Sequence, residues 1–166
     1  ECLGAHVYGV DDDEVEDAAV RALAGAGQTL GTIEIGTEGR VAACFAHAEA
    51  LRQTRASSHE PSAAVYRGGT VLPVVTDGAY DRSPAGLRAL AERARTEFGA
   101  TLGLAIGPAR PGPDGRSVVD IALSDGQQGE RVEHMLGGGP TLALSRASKA
   151  AIDLVRRTLA TRMAAP

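Results

Sequence analysis

Apolar positions recur along this chain with two alternating periods, one suited to strands and one to helices. The segment Leu3-Gly4-Ala5-His6-Val7-Tyr8-Gly9 is short and strand-like, and the acidic stretch Asp11 to Asp17 then leads into Ala18-Ala19-Val20-Arg21-Ala22-Leu23. Acids in a first turn face unpaired N–H groups, so this stretch predicts a helix cap rather than a metal site. Gly25 and Gly27 stop that helix, and Thr29 to Ile35 reads as a buried strand. Val41, Cys44, Phe45, Ala48 and Leu51 follow at helical spacing. Beyond a loop through Ser57 to Pro61, Ser62–Tyr66 and Thr70–Thr76 are strand candidates interrupted by Arg67-Gly68-Gly69, and Pro73 argues for an edge or a bulge.

Ser83 and Pro84 form an N-cap and first-turn pair. They open a helix whose inner face is Leu87, Leu90, Ala91, Ala94 and Phe98, ended by Gly99. Leu102–Ile106 is a short strand, and the Pro- and Gly-rich run 107–115 predicts an irregular loop. Ser117–Leu123 and Arg131–Leu136 read as strands joined by a turn at Asp125-Gly126. After Gly137-Gly138-Gly139-Pro140 a long helix runs to about Arg162, with Ala147, Ala151, Leu154, Val155 and Leu159 facing inward. This alternation predicts the α/β class: a three-layer α/β/α sandwich, with a mixed sheet covered by helices on both faces. Ligands of such sheets sit at strand ends, where Gly-rich turns let backbone approach phosphate. Residues 36–39, 67–69 and 107–112 are the three such turns expected here, and none is a P-loop or a Gly-x-Gly-x-x-Gly motif.

Composition sharpens this picture. With 166 residues the chain reads as one domain, and five aromatic residues leave the core to Ala, Val, Leu and Ile. Sixteen of the seventeen bases are Arg, so Lys149 is the one candidate catalytic amine. Residues 1–20 carry seven acids and no Lys or Arg, against 14 acids and 17 bases in the remainder. Scattered Arg without stacking aromatics excludes a nucleic-acid footprint, and no apolar run reaches the roughly 18 residues of a membrane span. Cys2 and Cys44 are too few for a disulfide framework, which points to a cytoplasmic protein. Cys44 and His47 lie three apart on one helix, but no third ligand completes a metal set, so no metal or cofactor is expected. The neighbours Ser57, Ser58, His59 and Glu60 lack the freedom to form a triad.

In their order, several motifs resemble the C-terminal domain of the CinA competence/damage-inducible protein family, also found as the stand-alone nicotinamide-mononucleotide deamidase. Val7-Tyr8-Gly9-Val10 before Asp11-Asp12-Asp13-Glu14 is similar to the family's opening. Gln28 to Gly39 resembles Leu-Thr-Leu-Ala-x-Ala-Glu-Ser-Cys-Thr-Gly-Gly, and Val65-Tyr66-Arg67-Gly68-Gly69-Thr70-Val71 resembles Val-Phe-Arg-Gly-Gly-Val-Val. Phe98 to Pro108 is similar to the family's Gly-Ala-Asp-x-Gly-Leu-Ala-Val-Thr-Gly-Ile-Ala-Gly-Pro, and Val118-Val119-Asp120-Ile121-Ala122-Leu123 with the last helix completes the match. The resemblance implies a bacterial domain of NAD salvage spanning 11–166, with residues 1–10 as a linker or the end of a preceding domain. It also implies a homodimer or higher homo-oligomer, partnership with the N-terminal domains of a longer CinA chain, and a pyridine nucleotide as ligand. The implied pocket is Glu34, Ile35, Gly36, Thr37, Gly39, Arg67, Gly68, Gly69, Gly107 and Arg110.

The chemistry of that family is what this sequence departs from. Deamidation needs a nucleophile or activated water, a base, and donors for the oxyanion. The family's implied Ser nucleophile is Ile35 here, and its Tyr and Lys positions fall on Pro73 and Gly78. Lys149 stands on the final helix instead, the Thr of Val-Thr-Gly is missing before Gly107, and the family's Gly-Asp-Arg is Gly138-Gly139-Pro140. The Arg expected four residues later is Leu144, with Arg146 or Arg110 as spatial substitutes. Glu34, Gly39, Arg67, Gly68 and Gly69 are kept, and Thr37 is the best surviving nucleophile, with His47 or His59 as its base. The expectation is a catalytically degenerate module serving dimerisation, regulation or nucleotide binding. The alternative is an amidohydrolase, converting nicotinamide mononucleotide to nicotinate mononucleotide and ammonia, with relocated catalytic residues.

Overall fold

The computed structural model describes residues 14–55, 63–74, 81, 83–127, 129–137 and 140–164. The expected strand Leu3–Gly9, the boundary at residue 10, the Asp11–Asp13 part of the cap, the loop through His59, and the Gly78, Gly138 and Gly139 positions lie outside them. The first helix, α1 (Val15–Gly25), begins at Glu14. The Glu14 side chain takes the backbone N–H three residues into the helix, and Asp17 reaches back to the Glu14 N–H. That reciprocal capping box satisfies two otherwise orphaned donors.

A mixed sheet follows. Strand β1 (Leu30–Ile35) lies between β2 (Tyr66–Leu72) and β3 (Leu102–Ile106), parallel to both. Beyond β3 come the antiparallel β5 (Ser117–Ser124) and, on its far side, β6 (Gly129–Leu136), while the two-residue β4 (Arg110–Pro111) prolongs the line of β3 along β5. Every residue of β1 and β3 is buried, as strands covered on both faces must be. The helices α2 (Arg40–Arg55) and α4 (Pro140–Ala164) join α1 over one face. There Leu30, Leu104, Ile106, Val119 and Ile121 meet Phe45, Ile152 and Val155 in the main core.

Among the described residues the other face is covered by α3 alone (Pro84–Glu97), through a smaller cluster of Leu87, Ala91, Ala105 and Ala122. Ser83 caps α3 by accepting from the Gly86 N–H at 3.1 Å, with Pro84 in the first turn. The helix seats directly on backbone: a Cβ at Gly31 would stand 2.6 Å from the Ala94 carbonyl oxygen, and one at Gly103 would collide with the Ala91 carbonyl. The sandwich is therefore lopsided, three helices against one, where the sequence pattern implied only that both faces are covered.

Two elements differ from expectation. Arg67-Gly68-Gly69 is no turn: it forms the first half of a single strand β2, whose pairing with β1 shifts register between Leu30 and Gly31. That strand ends at Leu72, so Pro73 follows it on what is an edge of the sheet, where a missing N–H costs no ladder bond. The run 107–115 is also more regular than its prolines imply, because β4 and a 3-10 turn at Pro113–Gly115 lie within it.

Candidate functional site

The Gly-rich turn between β1 and α2 is built around one buried carboxylate. Glu34 is fully buried and points to the α2 side of the sheet, where it accepts hydrogen bonds from the Val41 N–H at 3.0 Å and the Ala42 N–H at 2.6 Å. These are first-turn donors of α2, the groups that a capping side chain or a bound anion would otherwise take. The Thr37 hydroxyl, itself 2% exposed, donates to the same carboxylate at 2.5 Å. Gly36, Glu38 and Gly39 all adopt positive φ (73°, 57° and 76°), which folds the chain back tightly enough for Glu34 to reach past them to the helix. The positive end of the α2 dipole is thus neutralised by the protein itself.

Next to Glu34 the side chain of Ile35 is completely buried, in a strand that alternates faces and so directs it to the α3 side. Gly36 lies against Val74 and Pro108, since a Cβ there would stand 2.7 Å from one and 3.2 Å from the other. This brings together the turn after β1, the segment after β2 and the segment after β3. Gly107 is anchored by its N–H to the Asp120 carbonyl at 2.9 Å. Of the expected pocket, then, Glu34, Ile35, Gly36, Thr37, Gly39 and Gly107 gather at the carboxyl ends of the parallel strands, and Arg110 follows close by in β4.

Arg67, Gly68 and Gly69 do not join them. Gly68 and Gly69 pair with Gly31 and Thr32, and Arg67 lies at the register shift just before them, at the opposite end of the strands from Gly36. Their glycines serve packing: a Cβ at Gly68 would stand 3.0 Å from the Phe98 ring, and one at Gly69 would strike the Thr32 hydroxyl. Tyr66 sits beside them, its hydroxyl 3.0 Å from that of Thr32 and its ring stacked on Phe45 at 5.6 Å. Burial pushes the Tyr66 hydroxyl up to about 12. His47 is exposed, about 10 Å along α2 from its first residue, too far to serve Thr37 as a base. Cys44 is half-buried, and its thiol is pushed up by burial and then by Glu16. Lys149 bonds Glu14 at 3.0 Å and Glu16 at 2.6 Å, so the single lysine ties α4 to the start of α1. Arg146 bonds the Gly137 carbonyl.

A cavity of about 90 Å³ lies between the start of α3 and the sheet, lined by Asp81, Ser83, Leu87, Gly107, Pro108, Arg110, Asp120 and Arg131. Its volume is well below the roughly 300 Å³ at which small-molecule pockets begin. Its charges are internally paired: Arg110 bonds Glu133 at 2.5 Å and Asp120 at 3.3 Å, and Arg131 bonds the other Asp120 oxygen. The Glu133 carboxylate raises the Arg110 guanidinium above its ordinary range, and hydrogen bonds from Ser83 hold the Asp81 carboxyl below its own. Asp120, Arg131 and Glu133 escaped the sequence reading, although Arg131 and Glu133 alternate on one face of β6 and only cross-strand pairing reveals Asp120 opposite. A larger groove, about 890 Å³, lies far from these turns, between β6 and the C-terminal half of α4. Among the described residues no group of three or more His, Cys, Asp or Glu is placed to hold a metal, and no helix is long and apolar enough to cross a membrane.

No family model matches the chain, and a comparison of its sequence with curated proteins finds no match. Solved structures are similar in fold. A competence-damaged protein (CinA) superfamily protein from Klebsiella pneumoniae superposes with a TM-score of 0.67 at 21% identity, covering 90% of this chain and 99% of that one. A CinA superfamily protein from Enterobacter cloacae gives 0.63 at 21% identity, over 92% and 96% of the two chains. The competence/damage inducible protein CihA from Agrobacterium tumefaciens gives 0.55 at 18% identity, over 92% and 98%.

Proposed function

Taking the shared fold of the CinA superfamily structures as the premise, we propose that this chain is a CinA-type C-terminal domain that has kept the deamidase architecture and lost its chemistry. It acts as an assembly or regulatory module of a larger protein. The observation that carries this reading is the closed cluster at Glu34. The surviving hydroxyl, Thr37, and the first amides of α2 are all engaged by one buried carboxylate, and Ile35 stands where the resembling family has its serine. A nucleophile needs an open line to a carbonyl carbon, and an oxyanion needs free donors. Thr37 and the Val41 and Ala42 amides offer neither while Glu34 holds them. With its Arg side chains paired, the neighbouring 90 Å³ cavity also leaves little to grip a nucleotide phosphate.

One observation favours the second reading, an amidohydrolase with relocated machinery. A hydroxyl 2.5 Å from a carboxylate is the arrangement of a nucleophile and its base, which would make Glu34, rather than His47, the partner of Thr37. Release of ammonia from nicotinamide mononucleotide tests both. The degenerate module releases none, whereas the enzyme does so and loses the activity in Thr37→Ala while remaining folded.

A further inference from the structure

We propose that the groove between β6 and the C-terminal half of α4 is a binding site for a small amphipathic carboxylate, a monoanion with an apolar body. Side chains alternate along β6, so Glu130, Val132 and His134 line this groove, whereas Arg131 and Glu133 turn to the other side, where Asp120 and Arg110 hold them. The groove has a volume of about 890 Å³, within the roughly 300–1,000 Å³ of small-molecule sites. Leu123, Val132, Leu154 and Ala160 give it apolar walls. From Leu154 to Arg162 it runs about 12 Å along α4, enough for a medium-length acyl chain.

The polar atoms of this groove call for an anion. His134 Nε2 and Arg157 Nε, one on each wall, are buried without a hydrogen-bond partner. Buried polar groups are nearly always satisfied, so an orphaned pair facing one cavity marks a place that something else completes. Arg157 Nε does lie 2.9 Å from an Asp153 oxygen, but out of line to donate to it. The same carboxylate is already claimed by Arg156, whose Nε donates to its other oxygen at 2.8 Å. One carboxylate between two guanidinium groups leaves one positive charge in excess, and the Arg157 side chain, 39% exposed, carries it into the groove. The third arginine there, Arg162, is taken by Asp125 at 2.7 Å. Burial and then Arg157 hold the His134 imidazole below its ordinary range, so at pH 7 it is neutral and can offer an uncharged N–H. A carboxylate suits this set, because a guanidinium grips it through two parallel N–H bonds. A second negative charge would face Glu130, whose carboxylate takes the Thr158 hydroxyl at 3.1 Å on the same groove, and this disfavours a phosphate dianion.

The groove is remote from the Glu34 turn, so its occupancy does not depend on whether the domain hydrolyses an amide. Octanoate, titrated into the 166-residue chain and followed by calorimetry and by the NMR signals of the histidine rings, tests the site. It should bind and move the His134 signals, while those of the exposed His47 on α2 stay in place. Octanol, which lacks the charge, and acetate, which lacks the apolar body, should each bind about tenfold more weakly or less. Arg157→Gln should weaken octanoate about tenfold, and Glu130→Gln, which removes a like charge, should tighten it about threefold. If Arg157→Gln does not fold by circular dichroism, His134→Phe, which keeps a ring and removes its nitrogens, should weaken binding about threefold. No heat and no movement of His134 at millimolar octanoate overturns the proposal, as does octanol binding as tightly as octanoate or Glu130→Gln weakening it. Tighter binding of octyl phosphate than of octanoate overturns the choice of a monoanion.

Discussion

Removing the Glu34 carboxylate should destabilise the domain more than any other single polar substitution in the β1–α2 turn. The side chain is wholly buried and accepts three hydrogen bonds, from the Thr37 hydroxyl and the Val41 and Ala42 amides. In Glu34→Ala all three donors lose their acceptor inside the protein. An unsatisfied buried donor costs about 1–3 kcal/mol, but the Thr37 hydroxyl can rotate and water can enter the space left, so the net loss is about 4 kcal/mol. Glu34→Gln keeps one oxygen, which can still serve Ala42, and its amide nitrogen can donate to Thr37. Only the Val41 N–H then faces another donor, so the loss falls to about 2 kcal/mol. For a domain of this size these figures correspond to melting temperatures lower by about 12 °C and about 6 °C. Thermal unfolding followed by circular dichroism measures both. If Ala and Gln variants both melt within about 2 °C of the parent, or if Gln is the worse of the two, Glu34 is not the keystone of this turn.

Further outcomes follow from the same geometry. Gly103→Ala should cost about 3 kcal/mol, measured by denaturant unfolding, because its methyl group would meet the Ala91 carbonyl and the Arg95 backbone and α3 would have to lift from the sheet. In a spectrophotometric titration one of the three tyrosines should ionise near pH 12, and this late step should vanish in Tyr66→Phe. The sign is that of an acid with a raised value: burial of neutral Tyr66 contributes stability below about pH 10, which is lost as pH rises towards 12.

The alternation of strands and helices was legible because each element carries its own period, and α3 was legible to its cap, since Ser83-Pro84 states where a helix begins. What the pattern concealed are glycines placed for packing rather than turning. Gly68 and Gly69 read as a break in a strand, yet they keep β2 continuous while making way for Phe98 and Thr32. Gly31 and Gly103 seat α3 on the sheet, a role that depends on a helix distant in sequence. Glu34 was legible as part of the site but not in its role. A capping acid ordinarily stands directly before its helix, whereas Glu34 lies six residues ahead of Arg40 and reaches α2 only because three residues of positive φ, Gly36, Glu38 and Gly39, fold the chain back. Arg67 illustrates the converse: motif order placed it in the pocket, and strand direction carries it to the other end of the sheet.

If Glu34 and Ile35 close this site to amide chemistry, as proposed, the chain releases no ammonia from nicotinamide mononucleotide. The purified 166-residue chain, assayed with saturating substrate by coupled detection of ammonia, should give no rate above the protein-free blank. Enzyme-dependent turnover near 1 per second, the lower end of ordinary enzymatic rates, would contradict it.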